Sequence, residues 1–309
     1  MKLGLTPEGA KVADSADIAS VMPVRRRRML PDGSLAWGVT AAMIGVLVVL
    51  PFAALMATSS GLGLSGIIAE VSEPVALAAL GLSFGGSLLT AGINTVMGLL
   101  LAWVLVRYSF WGRGIADAAV DLPFALPTAV AGVTLAHQFG PTGWLGTLGT
   151  TLEGKLGLAA GSLAWLNLQA SFTVWGVLIA MTFVTIPLVV RSVQPVLLAL
   201  DTEVEEASLS LGASRLQTFA HVILPALRPA LLAGFALSFA RSLGEFGSVI
   251  VISGNIPFET LTGPVLIFQK LEQYDESGAA AVALVMLVGS LVTLAVVAFL
   301  QSRKAGSHG

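Results

Sequence analysis

Six long apolar stretches separated by polar ones set the pattern of this chain. The first, Trp37 to Thr58, lies in a charge-free run between Asp32 and Glu70. At about 1.5 Å per residue it is long enough to cross a hydrocarbon core of roughly 30 Å. The second, Ser83 to Val106, sits in a charge-free run from Glu73 to Arg107 that exceeds one perpendicular span. That excess predicts either tilt or a short interfacial helix ahead of it. The third, Leu122 to Phe139, is opened by Asp121 as a cap and interrupted by Pro123 and Pro127, which membrane helices tolerate where neighbours satisfy the freed carbonyls. The fourth runs from Phe172 to Val190, contains Pro187 and ends at Arg191. The fifth, Pro229 to Ile252, carries Arg241 and Glu245 inside it, one helical turn apart on one face. The sixth, Gly278 to Leu300, is closed by Arg303 and Lys304. The pattern predicts an all-α integral membrane protein with six transmembrane helices. Asn94, in mid-span, predicts a hydrogen bond to a neighbouring helix, and Gly81, Gly85, Ala91 and Gly98 predict close helix approach.

Residues 201–225 form a polar segment between the fourth and fifth stretches and read as helix, glycine, helix. Thr202 followed by Glu205 has the form of a capping box. Gly212 suits the left-handed position that ends such a helix, and Ser214 caps a second one, whose Leu216, Phe219 and Ile223 recur at helical spacing until Pro225. Glu203, Glu205 and Glu206 share a polar surface, and Val204, Ala207 and Leu211 an apolar one. Such a piece suits a groove on another protein.

Composition agrees with a bilayer: 55% hydrophobic and 11% charged residues, with mean hydropathy +0.88. With no cysteine and only the scattered His137, His221 and His308, no metal site or cofactor is expected. Residues 1–34 are expected to be a polar tail. The Arg25 to Arg28 run, immediately before a span, points to topology or anionic lipid rather than to nucleic acid. Nearly all Lys and Arg fall in the two tails, the Arg107 to Arg113 loop and the 191–228 loop. The alternate loops hold Lys155 and Lys270 against Glu70, Glu73, Glu153, Glu259, Glu272, Asp275 and Glu276. The positive-inside rule therefore places both termini and the 201–225 segment in the cytoplasm.

Two glycine patterns imitate nucleotide sites. Gly61, Gly63 and Gly66 spell a dinucleotide fingerprint but lack a βαβ unit, and are expected to form a flexible loop. Gly149 and Gly154-Lys155 keep a Walker A spacing, but Leu156 stands where a magnesium-binding hydroxyl is needed. No nucleophile and base arrangement stands out either, so no catalytic residue is expected.

Glu206, Ala207 and Ser208, followed by Gly212, Val222, Leu224 and Pro225, resemble the EAA loop of ABC importer permeases, with Ser208 for alanine and Val222 for isoleucine. The resemblance extends over about residues 36 to 302. Asp121 to Gly132, Val190 to Val196, Phe239 to Ser248 and Ile252 to Pro257 look like the sulfate and molybdate permeases, and Lys270 to Asp275 like the sulfate/thiosulfate permeases of the T type. The resemblance implies the type I importer fold, with a permease region over 35–302 and its transmembrane core over about 79–300. It further implies that the 201–225 loop, through Glu206, Ala207, Gly212, Leu224 and Pro225, docks one of two ATPase subunits. A second permease subunit, identical or homologous, would share the pathway, and an external sulfate-binding protein would deliver the anion. Arg241 and Glu245 are candidate pathway residues, and equally a self-neutralising structural pair. A molybdate or tungstate permease, an ion-coupled secondary transporter and a membrane-embedded enzyme are the alternatives. Against the secondary transporter stands the lack of an internal repeat among the six stretches.

Overall fold

The computed structural model describes residues 33–159, 161–163, 166 and 168–305, and among them every regular element is helical. The amino tail with Arg25 to Arg28, and His308, lie outside the described residues. Helix α1 runs from Gly33–Ile44 through a π-helical turn, Gly45–Val49, into Leu50–Ser60. After a turn at Gly61 and Leu62, α2 is Gly63–Val71, so the fingerprint-like glycines begin a helix rather than a loop. Then come α3 (Pro74–Arg107), α4 (Arg113–Val120), α5 (Leu122–Ala125), α6 (Thr128–Gln138), α7 (Leu148–Leu156), α8 (Val174–Ala199) and α9 (Thr202–Ser210). Helix α10 starts at Arg215–Thr218, passes a π-helical turn, Phe219–Ile223, and continues as Leu224–Leu243. The chain closes with α11 (Gly247–Ile252), α12 (Gly263–Glu272) and α13 (Glu276–Ala305). It divides into two compact units, Met1–Ala53 and Ala54–Gly309. Every candidate site residue belongs to the second.

Five of these helices are long and apolar enough to cross a membrane: Trp37–Ser60, Pro74–Arg107, Val174–Ala199, Arg215–Leu243 and Glu276–Phe299. Four expectations change. The fourth stretch does not end at Arg191, since α8 carries that residue inside it and continues to Ala199. The second stretch needs no separate interfacial helix, because Pro74 opens one continuous helix of 34 residues, about 51 Å long. The third is two helices, since Leu126 (ψ 134°) and Pro127 (ψ 133°) are both extended. A residue before proline is pushed out of the helical region, and here the break is left unhealed. The fifth is also broken, at Gly244 to Phe246, and its helix begins 14 residues earlier than Pro229, at Arg215. Pro225 and Pro229 do not stop α10; the widened π turn just before Pro225 gives its ring room beside the preceding carbonyls.

The core of the second unit is the packing of α3, α8 and α10 against one another, with α6 against α11 and α12 against α13. Its two apolar clusters are centred on Val177, Met181, Phe239 and Ile252, and on Val189, Val193, Leu197 and Leu227. At the junction of the three long helices, Asn94 Nδ2 donates to Thr185 Oγ1 at 2.7 Å and to Ser238 Oγ at 3.0 Å, as its mid-span position led one to expect. Gly98 lets α3 close on Val189: a Cβ there would lie 2.8 Å from the valine Cβ. Gly81 and Gly85 meet nothing within 4 Å, so they are not packing glycines within this chain.

Candidate functional site: the 201–225 loop and the Arg241–Glu245 pair

Helix α8 hands over to α9 through Leu200 and Asp201 alone. The cap is Asp201, whose side chain accepts from Glu203 N at 3.1 Å, and not the expected Thr202 and Glu205 box. Glu205 is committed elsewhere: it pairs with Arg107 at the end of α3. The Arg107 guanidinium lies 5.5 Å from the ring centre of Trp103, and Trp103 meets Phe219 edge-on at 5.5 Å. The short helix is thus held to the membrane core by one ion pair with an aromatic backing, which gives it a defined orientation.

Gly212 is left-handed (φ +89°), as its position required, and Ala213 N closes the turn on Ser208 O at 3.2 Å. Ser214 then caps α10 in a reciprocal box with Gln217, with Ser214 N to Gln217 Oε1 at 2.8 Å and Gln217 N to Ser214 Oγ at 3.3 Å. Ser208 Oγ and Thr218 Oγ1, 3.0 Å apart, tie the two helices together. Around this turn Glu203, Glu206 and Ala207 are exposed, while Leu224 and Pro225 are half-buried at the root of α10. Leu211 is 89% and Leu216 76% exposed, and Val204 and Leu209 are open as well. Leu211 and Leu216 thus stand open on a tightly hydrogen-bonded turn.

The second feature sits where α10 breaks. Glu245 is 1% exposed and accepts three hydrogen bonds: from Arg241 Nη1 at 2.6 Å, Ser248 N at 2.9 Å and Ser248 Oγ at 2.8 Å. Its carboxylate satisfies the first turn of α11, and this stabilises the break that hydropathy alone does not reveal. Arg241 differs. Its side chain is 40% exposed, and among the described residues one of its five N–H donors is committed, to Glu245. The carboxylate is a buried structural group; the guanidinium remains largely available.

Backbone contacts fix α11 in place. A Cβ on Gly132 of α6 would lie 2.7 Å from Ser248 O and 2.8 Å from Ser248 Cα, so α6 and α11 meet main chain to main chain.

Sequence reading missed one cluster altogether. Arg191 on α8 binds Asp121 through Nε at 2.8 Å and Nη2 at 2.6 Å, and Asp117 through Nη1 at 2.8 Å. Asp121 makes no cap hydrogen bond; it serves this arginine instead. Asp117 and Asp121 stand four residues apart in an otherwise uncharged run, and that spacing was the available signal. At the other end of the fold, Lys270 binds Glu70 at 2.8 Å and Asp275 at 3.0 Å, and Asp275 also accepts from Gly278 N at 2.9 Å. The Gly278 amide and the lysine hold the Asp275 carboxyl below its ordinary 3.8. Burial opposes the charge on Lys270, but its two carboxylate partners outweigh that and raise it above 10.5. The Walker-like residues Gly149 to Lys155 lie within α7 and not in a glycine-rich loop between a strand and a helix.

Residues 94–306 match the family described as "Binding-protein-dependent transport system inner membrane component". The chain is 48% identical over 269 residues to the probable sulfate transport system permease protein cysT of Nephroselmis olivacea, covering 87% of this chain and 90% of that protein. It is 43% identical over 283 residues to the sulfate transport system permease protein CysT of Salmonella typhimurium, covering 92% and 97%. A bacterial ABC transporter involved in import of the acidic polysaccharide alginate shares the fold, with TM-score 0.68 at 14% identity over 88% of this chain and 96% of that one.

Proposed function

The chain belongs to the family of binding-protein-dependent transport system inner membrane components, and from that premise we propose that it is the permease subunit of an ATP-driven importer of sulfate or thiosulfate. Multi-pass membrane architecture follows from the family and from the five long apolar helices. The observation that carries the importer reading is the α9–Gly212–α10 turn, with Glu206, Ala207, Gly212, Leu224 and Pro225 in the EAA spacing and Leu211 and Leu216 uncovered beside them. On this reading an ATPase subunit covers that surface and hydrolyses the ATP. A second permease subunit completes the pathway, and an external binding protein delivers the anion. The distribution of basic residues supports a cytoplasmic side for both termini and the 201–225 loop. The sulfate assignment rests on the relatives' names, and thiosulfate on the resemblance carried by residues 270–275.

Arg241 and Glu245 are the proposed pathway groups. A charge in mid-membrane costs about 2.5–3.5 kcal/mol on insertion scales, so the free donors of Arg241 belong in a protein or water environment. There they suit a passing tetrahedral oxyanion. Glu245, held by Ser248, lowers the net field so that the anion is released rather than trapped. The test is reconstitution in proteoliposomes with the ATPase and binding protein, measuring uptake of radiolabelled sulfate. ATP-dependent uptake competed by thiosulfate is expected. Competition by molybdate alone would reassign the substrate, and uptake driven by a proton or sodium gradient without ATP would refute the importer.

A further inference from the structure

Arg191 commits all five of its N–H donors. Besides the three bonds to Asp117 and Asp121 carboxylates, Nη2 donates to Asp117 O at 2.8 Å and Nη1 to Gln194 Oε1 at 2.5 Å, while Gln194 Nε2 donates to Asp117 Oδ1 at 2.9 Å. One guanidinium therefore fastens α8 both to α4 and to the start of α5. The location matters more than the number of bonds. Helix α8 leads within two residues into α9, the helix of the exposed turn. Helix α5 leads across the extended Leu126 and Pro127 into α6. Helix α6 is in main-chain contact with α11 through Gly132 and Ser248, and Ser248 holds Glu245, the partner of Arg241. Beside the fork an open cleft of about 440 Å³, lined by Leu105, Val106, Arg113, Asp117, Arg191 and Leu198, leaves α4 room to shift against α3 and α8.

We propose that Arg191 is a positioning residue that couples displacement of the 201–225 turn to the α6–α11 body beside Arg241. When α8 is displaced with α9, the fork carries α5 along, and the α5–α6 joint passes the movement to α6 and α11. Without the fork α8 slides past α5 and α6 does not follow, so α6 and α11 no longer keep step with Arg241, which α10 carries directly from the turn. A planar, five-donor arginine suits this role because it fixes direction as well as distance, which a lysine cannot. The inference rests on the importer reading, in which the moving turn is the one an ATPase seats on.

The decisive variants are Arg191→Lys, which keeps the charge, and Asp121→Asn, which keeps the shape. Each is assembled with its ATPase and binding protein in proteoliposomes. ATP hydrolysis should stay near wild type while anions moved per ATP fall about tenfold, a typical size for a lost coupling. Spin labels at Thr134 on α6 and Val292 on α13 supply a readout independent of the anion. Their separation should change on nucleotide binding in the wild-type complex and stay fixed in both variants. Wild-type coupling in the variants, a nucleotide response they retain, or no response in the wild type would each overturn the proposal. Failure of both variants to assemble would overturn it too, because the fork would then be purely structural. A wild-type permease that recruits no ATPase is a different result, and sinks the importer reading itself.

Discussion

Gly212→Val tests the exposed turn most directly. Gly212 sits at φ +89° with nothing within 4 Å of its would-be Cβ, so the substitution meets no neighbour and acts through the backbone alone. A β-branched residue in the left-handed region costs about 1–2 kcal/mol or more. The turn relieves that by leaving the conformation, breaking the Ala213 N to Ser208 O bond and re-aiming α9 against α10. The apolar clusters between α3, α8 and α10 keep their packing, so Tm is expected to hold. Leu211 and Leu216, 89% and 76% exposed, then no longer present one surface. Burying a leucine side chain is worth about 1.5–3 kcal/mol, so misplacing even one weakens ATPase binding about tenfold or more. The assay is titration of detergent-solubilised permease with purified ATPase, alongside Tm. Gly212→Asn is the informative companion, since asparagine tolerates the left-handed region. The expected order is glycine, then asparagine close behind, then valine at least about tenfold weaker with Tm unchanged. Unchanged affinity for Gly212→Val would refute the reasoning. Equal losses for Asn and Val would show that side-chain bulk at the interface, and not backbone geometry, is what matters.

Three further outcomes are expected. The double variant Arg241→Glu, Glu245→Arg removes the acceptor of Ser248 N and Oγ, so its assembly is measured beside its flux: a complex that assembles but moves no sulfate is the expected result, and near-normal sulfate uptake would rule out the pathway role. Single cysteines at Ser214 and Thr150, added to a cysteine-free chain, should react with an impermeant thiol reagent in right-side-out vesicles only at 150, and the reverse pattern would invert the topology. The Lys270 clamp should give a flat stability plateau. Asp275, depressed in the folded state, contributes fully above 3.8 and loses its contribution as pH falls through its lower folded value; Lys270, raised, contributes fully below 10.5 and loses it as pH rises through its higher one. A Tm difference between wild type and Asp275→Asn that drifted between about pH 5 and 9 would contradict this.

Much of this was legible without coordinates, because it obeys local rules. A span is recognised by the absence of charge over about twenty residues, and Trp37–Ser60 or Glu276–Phe299 needs no knowledge of its neighbours. Gly212 and Ser214 are likewise local: a left-handed position and a capping box are decided by residues within one turn. Hydropathy failed where a polar group is satisfied at a distance or by an irregular backbone. The break at Gly244 to Phe246 looks like continuous membrane helix, because Glu245 replaces the lost helical bonds through Ser248, and side-chain identity does not disclose that. Thr202 and Glu205 spell a capping box, yet Glu205 turns to Arg107, 98 residues away. Arg191 ended one predicted span and Asp121 opened another, with nothing in either segment to join them. Their meeting across 70 residues depends on how α8 lies against α4 and α5, and a pairing between remote segments is set by the packing of the whole bundle rather than by the chemistry of either one.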